Sequence, residues 1–261
     1  MDHKDYWRKQ GDEPLFPDIL WSRPQTKHGA GKLAIIGGNS HGFGAPGMAY
    51  NTTLQSGVGV CQVLLPDAVK KVVKSLLPDA GFAPSTPSGS FSRKALDSFM
   101  ADAAWSDAVL LSGDAGRNSE TAMLLESFVE KYSGLLTITQ DAVDYFKETP
   151  QQIIDREQTL IVLSIAQLQK MFIGVGSPTP ITLSMNASHL AVALRDFTLE
   201  HAAGIVTKLG DIMFIAHNGQ VVSLRHEPKT WRVETAARAS VFWMQNPSKL
   251  LEAVASAIVQ Q

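Results

Sequence analysis

The sequence is poor in cysteine and has no long apolar run. Cys61 is the one cysteine among 261 residues, which excludes an intrachain disulfide framework. No apolar run reaches the roughly 18 residues that a membrane-spanning helix needs. Residues 1–9 are mixed in charge and lack the apolar core of a secretory signal. We therefore expect a cytoplasmic protein.

The chain also lacks a strong excess of charge of either sign. Lys and Arg number 23 and Asp and Glu number 25, for a formal net charge of -2. This balance gives no general attraction to nucleic acid or to an anionic membrane. The histidines show no spacing typical of zinc sites and have no cysteine pairs beside them, so we expect no metal site built from side chains.

Apolar and amphipathic stretches alternate along the first two thirds of the chain. The strand candidates are residues 32–36, 60–65, 107–111, 135–138 and 160–163, and the helix candidates are residues 45–55, 67–77, 92–104 and 118–132. This alternation favours an α/β fold with a mostly parallel central sheet and helices on both faces. Residues 26–261 are expected to form this one domain, with residues 1–25 as a leader packed on it.

The alternation of strand and helix candidates stops toward the C-terminus. Three short strand candidates follow one another at residues 204–207, 212–216 and 221–224, with a turn signal at 217–219 between the last two. They predict an antiparallel C-terminal edge on the parallel sheet. Two helix candidates, residues 233–245 and 248–259, end the chain.

The densest glycine cluster, residues 37–46 (GGNSHGFGAP), lies between a predicted strand and a predicted helix. Small residues let backbone N–H groups approach a ligand, and a helix N-terminus favours an anion. The cluster does not match the P-loop pattern, and the alternative is a tight turn that needs glycine for steric reasons. His41 is either a ligand contact or a solvated loop residue. The candidate binding residues here are Gly37, Gly38, Asn39, His41, Gly44 and Ala45.

Several segments carry a resemblance to a known family. Residues 20–46 resemble the opening of the ADP/ATP-dependent NAD(P)H-hydrate dehydratases, which have an Arg, a Lys-rich turn, a strand, Gly-Gly-Ser and Gly-Ala-Pro. Residues 53–60 (TLQSGVGV) are similar to that family's Leu-Arg-Ala-Gly-Ala-Gly-Leu-Val. Residues 107–117 resemble its strand followed by Gly-Pro-Gly-Leu-Gly-Arg, with Gly116 and Arg117 kept.

Shorter similarities follow in the second half of the chain. Asp141 occupies the place of the second acid in the family's Asp-Ala-Asp-Ala segment, and Lys208 lies where its Val-Leu-Lys-Gly segment has a lysine. The resemblance implies a ribokinase-like three-layer sandwich, related to carbohydrate kinases. It also implies a metabolite-repair lyase that uses ATP or ADP with Mg²⁺ on hydrated NAD(P)H, in a homo-oligomer that is a tetramer. Gly116, Lys208 and Thr235 are the further binding residues that it implies.

Two motifs that carry the family's chemistry are absent. The family's Gly-Thr-Gly-Asp lies at a helix start, where N–H groups hold the transferred phosphate and the Asp takes a proton. Residues 234–241 (ETAARASV) match its place and put Ala236 at the second glycine and Ala237 at the base. The family's Thr-Pro-His-Pro-Gly-Glu is missing as well, with Ser164 and Gln167 nearest in position.

Two functions remain open. One is a divergent dehydratase of reduced or lost activity, in which Glu234, Asp211 or Asp141 replaces the missing acid. Loss of a general base typically removes 10² to 10⁴-fold in rate, about 3 to 5 kcal/mol of barrier. Glu234 is otherwise a favourable acid in the first turn of a helix. The other function is a non-catalytic sensor or partner subunit that binds a nucleotide or dinucleotide.

Overall fold

A computed structural model describes residues 5–77, 79–227 and 230–259 of the chain. In these residues the strands are β1 Trp7–Lys9, β2 Lys32–Gly37, β3 Val60–Pro66, β4 Gly81–Ala83, β5 Ala108–Gly113, β6 Leu135–Thr139, β7 Thr159–Val162, β8 Gly204–Leu209, β9 Ile212–His217 and β10 Gln220–Arg225. The helices are α1 Pro17–Trp21, α2 Gly44–Gln55, α3 Lys70–Val73, α4 Leu96–Trp105, α5 Ser119–Lys131, α6 Gln151–Ile154, α7 Ile165–Gly174, α8 Ala187–Glu200, α9 Arg232–Gln245 and α10 Leu250–Val259. None of the helices in this part of the chain is long and apolar enough to cross a membrane.

The strands form one sheet in the order β1-β10-β9-β8-β7-β6-β5-β2-β3-β4. Strands β2 to β8 pair in parallel with one another, and β9 pairs antiparallel with both β8 and β10. The predicted mostly parallel sheet with a C-terminal antiparallel element is therefore confirmed. Parallel strands place their carboxyl ends at a common edge, which is where ligand sites of open α/β sheets form.

Apolar side chains cover both faces of the sheet. Along β2, Leu33 and Ile35 point to one face and Ala34 and Ile36 to the other, and all four are buried. The first pair packs with α2, α9 and α10, and the second packs with the layer formed by α4, α5, α7 and α8. Since a strand buried on both faces needs apolar residues at successive positions, the continuous runs of the sequence give this three-layer arrangement.

The leader adds a strand to the sheet. Strand β1 pairs in parallel with β10, and the Trp7 indole N–H donates to Ser223 Oγ at 2.9 Å. Ile19 of α1 is buried in the core on the face of α10. Residues 1–4 of the leader lie outside the described residues.

Some predicted elements differ from the observed ones. The helix expected over residues 67–77 is a 3₁₀ turn, Asp67–Val69, followed by the single turn of α3. Helices α7 and α8 were not predicted, although each begins at a good N-cap. Asn186 accepts the His189 N–H before α8, and Ser164 and Gln167 form a capping box before α7.

Asp102, on α4, has a carboxyl group that the fold buries without full hydrogen bonding. Gln62 Nε2 donates to its Oδ1 at 3.3 Å, and its Oδ2 is buried without a partner. Burial raises the pKa of Asp102 to about 6 from its ordinary value of 3.8. The carboxylate is therefore disfavoured in the folded state, and stability decreases as the pH rises through this range.

We expect Asp102→Asn to raise the Tm by about 2 °C at pH 7.5 and to leave it unchanged at pH 4, where the carboxyl group of the folded protein is already neutral. Thermal unfolding followed by circular dichroism at the two pH values measures this. Asp12→Asn, at an exposed position outside the helices and strands, is the control and should change neither value. A lower Tm of Asp102→Asn at pH 7.5 would contradict the assignment.

Candidate functional site

The carboxyl ends of the central strands bring five segments together at one edge of the sheet. They are the glycine loop (residues 37–46), the loop at residues 114–118, the 3₁₀ turn Gln140–Phe146, and the starts of α7 and α9. The two loops are in contact, since a Cβ atom placed on Gly116 would lie 3.4 Å from Asn39 Nδ2. This edge is the candidate site.

The glycine loop is closed on itself by hydrogen bonds. Asn39 and Gly42 exchange two backbone bonds, of 2.8 and 3.2 Å, and Asn39 Oδ1 accepts the His41 N–H at 2.7 Å. A Cβ atom at Gly37 would lie 2.5 Å from the Gly113 carbonyl oxygen, so glycine is required there for strand packing. The steric explanation of the cluster therefore holds at Gly37, while the side chain of His41 is exposed.

A carboxylate of the protein itself lies at the start of α2. Asp114 Oδ2 accepts the Ala45 N–H at 2.7 Å, and Asn39 Nδ2 donates to the Asp114 carbonyl oxygen at 2.6 Å. Cβ atoms placed on Gly42 and Gly44 would lie 3.8 and 3.9 Å from this carboxylate. Asp114 therefore takes the Ala45 N–H, and the Asn39 side chain bonds within the loops, while ligand binding by Asn39, Gly44 and Ala45 stays a prediction.

A pocket of about 720 Å³ opens beside these loops, on the side of α5 and α7. Three of the residues that line it are basic and exposed: Arg117, Lys147 and Lys170. The full lining is Gly116, Arg117, Asn118, Ser119, Asp141, Asp144, Tyr145, Lys147 and Lys170. Gly116 is thus the predicted binding residue that the structure places in this pocket, and the glycine loop does not contribute to its lining.

The wall of the pocket is held in place by Asp141 and Tyr145. The Asp141 carboxylate accepts the Ala115 and Gly116 N–H groups at 3.3 and 3.1 Å, and Tyr145 Oη donates to the Gly116 carbonyl at 2.8 Å. Burial raises the pKa of both Asp141 and Tyr145. The loop that carries Arg117 is therefore held in place by hydrogen bonds from Asp141 and Tyr145.

An arginine stands at the start of α9. Arg232 Nη1 donates to Gln167 Oε1 at 2.9 Å, and Gln167 Nε2 donates to the Gln140 carbonyl at 2.8 Å and to Asp144 Oδ1 at 3.2 Å. Burial lowers the pKa of Arg232, against the opposing effect of the nearby charges of Asp144 and Asp141. Gln167 is therefore a structural link between α7, the 3₁₀ turn and α9.

Helix α9 begins at Arg232, one residue before its predicted start, after the N-cap Trp231. Ala236 and Ala237 lie in its second turn with no exposed surface. The placement of Ala237 at the position of a base stays a prediction. Residues 231–233 carry no carboxylate, and the acid of the first turn is Glu234.

The other candidate residues lie away from the pocket. Lys208 is at the end of β8, and its charge, after the larger effect of burial, lowers the pKa of His226. Thr235 is completely buried in α9, and Asp211 is exposed in the turn between β8 and β9. Among residues 5–77, 79–227 and 230–259, no group of three or more His, Cys, Asp or Glu side chains is arranged to hold a metal ion.

We expect Tyr145→Phe to lower the free energy of unfolding by about 1 kcal/mol, the usual contribution of one buried hydrogen bond. Amide exchange at residues 115–118 should become faster because the loop loses its support. Urea unfolding and residue-resolved hydrogen exchange measure the two effects. Tyr132→Phe removes a comparable bond, from Tyr132 Oη to the Leu135 carbonyl at 3.2 Å, and should leave exchange at residues 115–118 unchanged. Equal protection in both variants would contradict the role of Tyr145.

Comparison with known proteins agrees with the fold and the resemblance. The chain is 30% identical over 109 residues to the bifunctional NAD(P)H-hydrate repair enzyme of Methanothermobacter thermautotrophicus, a stretch that covers 41% of this chain and 21% of that enzyme. No protein-family profile matches the chain. The chain thus matches about a fifth of the length of this relative.

Solved structures show the same fold. A ribokinase-like superfamily protein from Enterococcus faecalis V583 superimposes with a TM-score of 0.72 at 18% identity, over 96% of this chain and 85% of that one. The ADP/ATP-dependent NAD(P)H-hydrate dehydratase of Bacillus subtilis, co-crystallised with ATP and Mg²⁺, superimposes with a TM-score of 0.63 at 12% identity, over 95% and 87%. The chain therefore has the fold of these ribokinase-like proteins, and part of its sequence is similar to an NAD(P)H-hydrate repair enzyme.

Proposed function

We propose that this protein binds a nucleotide or dinucleotide in the pocket between α5, the 3₁₀ turn and α7, and does not catalyse the dehydratase reaction. The observation that carries the proposal is the charge of the cleft. Three basic side chains line the pocket against two acidic ones, Asp141 and Asp144, and the acid in the first turn of α9, Glu234, is not among the lining residues.

The pocket suits a phosphate-bearing ligand. Its volume of about 720 Å³ lies within the range of small-molecule and cofactor sites, roughly 300 to 1,000 Å³. Arg117 offers a planar guanidinium that can bind phosphate through two parallel hydrogen bonds, and Lys170 supplies a point charge. Lys147 is 3.6 Å from Glu148, but both side chains are largely exposed, and such a pair leaves the lysine available.

The residues fit the phosphates of ATP or ADP better than they fit a resident metal ion. Arg117, Lys147 and Lys170 would hold the phosphates, and a bound nucleotide supplies chemically a transferable phosphoryl group. Because the described residues hold no cluster of three metal ligands, Mg²⁺ would enter together with the nucleotide. Asp141 and Asp144 are the carboxylates of the lining that could face it.

We infer the absence of catalysis from the lack of a proton acceptor. Phosphorylating a hydroxyl requires a group that takes its proton. Arg232, the first residue of α9, cannot accept one, and Glu234, the acid of its first turn, does not line the pocket. The Arg232 guanidinium donates to Gln167 and would instead attract an anionic part of a ligand. A non-catalytic sensor or partner subunit is therefore the function that we infer.

A divergent dehydratase is the second candidate, and Asp141 favours it. This carboxyl group lines the pocket, and burial raises its pKa, which is the direction that makes a carboxylate a better general base near neutral pH. Against this, both of its oxygens already accept backbone N–H groups. Glu234, half-buried within the first turn of α9, lies about one turn before Ala237, the position that the resemblance gives to the family's acid.

We expect hydrated NADH or NADPH, incubated with the protein and ATP or ADP with Mg²⁺, to regain the absorbance of reduced nicotinamide no faster than without protein. The physical reason is the missing proton acceptor. A rate well above the protein-free control would overturn the non-catalytic proposal. In that case, abolition of the rate by Asp141→Asn, with the fold intact, would identify the substitute acid.

We expect isothermal titration calorimetry to show binding of at least one of ATP, ADP, NADP and NADPH, weakened about tenfold by Lys170→Gln because one phosphate contact is lost, a change of about 1.4 kcal/mol. The affinity should also decrease with added salt. Lys71→Gln, at an exposed position on α3, is the matched control and should bind like the unsubstituted protein. Failure of all four ligands to bind would contradict the proposed function.

A further inference from the structure

The start of α2 already contains an anion, and that anion belongs to the protein. The Asp114 carboxylate receives the Ala45 N–H at 2.7 Å and lies against the open faces of Gly42 and Gly44. This point is the N-terminus of the twelve-residue helix α2, which is the positive end of the helix dipole, so a negative group is favourable there. Cβ atoms at Gly42 and Gly44 would be in ordinary van der Waals contact with this carboxylate, so the aspartate side chain of the neighbouring loop lies directly against the glycine loop.

The backbone of Asp114 shows that this arrangement is specific. Its φ angle of 55° lies in the left-handed region, which is unfavourable for a residue other than glycine. The Asn39 side chain holds the Asp114 carbonyl at 2.6 Å. A glycine would adopt the same conformation without strain, so the aspartate side chain must be compensated by the contacts it makes.

The two sides of the cleft differ in charge. The Asp114 carboxylate lies at the start of α2. The pocket toward α5 and α7 is lined by the cations Arg117, Lys147 and Lys170 together with the carboxyl groups of Asp141 and Asp144. A phosphate near α2 would meet a carboxylate that already uses the Ala45 N–H, whereas a phosphate in the pocket meets cations.

We propose that Asp114 is a specificity-determining residue that excludes phosphate from the start of α2 and so directs the phosphates of a bound ligand to the pocket. This inference rests on the proposed function for the identity of the ligand. Its core, that Asp114 and a phosphate compete for one position, can be tested with inorganic phosphate and pyrophosphate alone.

The test compares the unsubstituted protein with Asp114→Gly, which suits the positive φ angle, and Asp114→Asn, which keeps the shape of the side chain without the charge. Each protein is titrated with phosphate and with pyrophosphate while the Gly44 and Ala45 amide signals are followed by NMR. Asp97→Asn changes the net charge equally and removes an acid from the first turn of α4, so it is the matched control.

We expect a saturable shift of the Gly44 and Ala45 amides in Asp114→Gly, with an affinity at least tenfold above that of the unsubstituted protein and of Asp97→Asn. Asp114→Asn should give an intermediate gain, and it carries the test alone if Asp114→Gly does not fold. Absence of any gain at these two amides in the folded Asp114 variants would overturn the proposal.

The result is separable from the proposed function. If the unsubstituted protein binds no nucleotide but the Ala45 amide of Asp114→Asn responds to phosphate, the proposed ligand is wrong and the role of Asp114 stands. If nucleotides bind in the pocket and the amides of the Asp114 variants do not respond, the role of Asp114 is wrong and the proposed function stands.

Discussion

The close pairing of β2 with β5 is the constraint on which the candidate site depends. A side chain at Gly37 would collide with the Gly113 carbonyl, and the Gly38 N–H donates to that same carbonyl at 2.9 Å. The register shifts at this point, between Ile36 and Gly37. The two strands therefore end side by side, and the loops that follow them are forced into contact. Asp114 reaches the start of α2 because of this approach.

Much of the fold could be predicted from the pattern of apolar residues along the sequence. The continuous apolar runs at β2, β3, β5, β6 and β7 are typical of parallel strands buried on both faces, and the turn signal at residues 217–219 marks the β9–β10 hairpin. Strand β1 carries no such signal, since its three residues are half-buried or exposed and their pairing with β10 is fixed only by tertiary packing. Ser164 and Gln167 form a capping box that indicates the start of helix α7. These two residues were considered only as replacements for a missing catalytic motif, so the helix was not predicted.

The site could be predicted only as far as its place at the edge of the sheet. The sequence places residues 37–46 and 114–117 after strand candidates, but it does not indicate that a side chain of the second segment caps the helix after the first. Lys147 and Lys170 belong to a turn and a helix with no distinctive motif, and folding alone brings them beside Arg117. Arg232 carries no sequence signal of its own, and its contact with Gln167 arises only in the folded chain.

Strand β1, near the start of the chain, pairs with a strand near its end, so this pairing can form only late in synthesis. Trp7 and Ser223, whose side chains are hydrogen-bonded, are 216 positions apart in the chain, so this flank of the sheet can close only after nearly the whole polypeptide has left the ribosome. Without β1, the six-residue strand β10 would be the edge of the sheet and would present unpaired backbone groups, which are a template for another extended chain. With β1 in place the edge strand is only three residues long, and removal of residues 1–25 would expose β10.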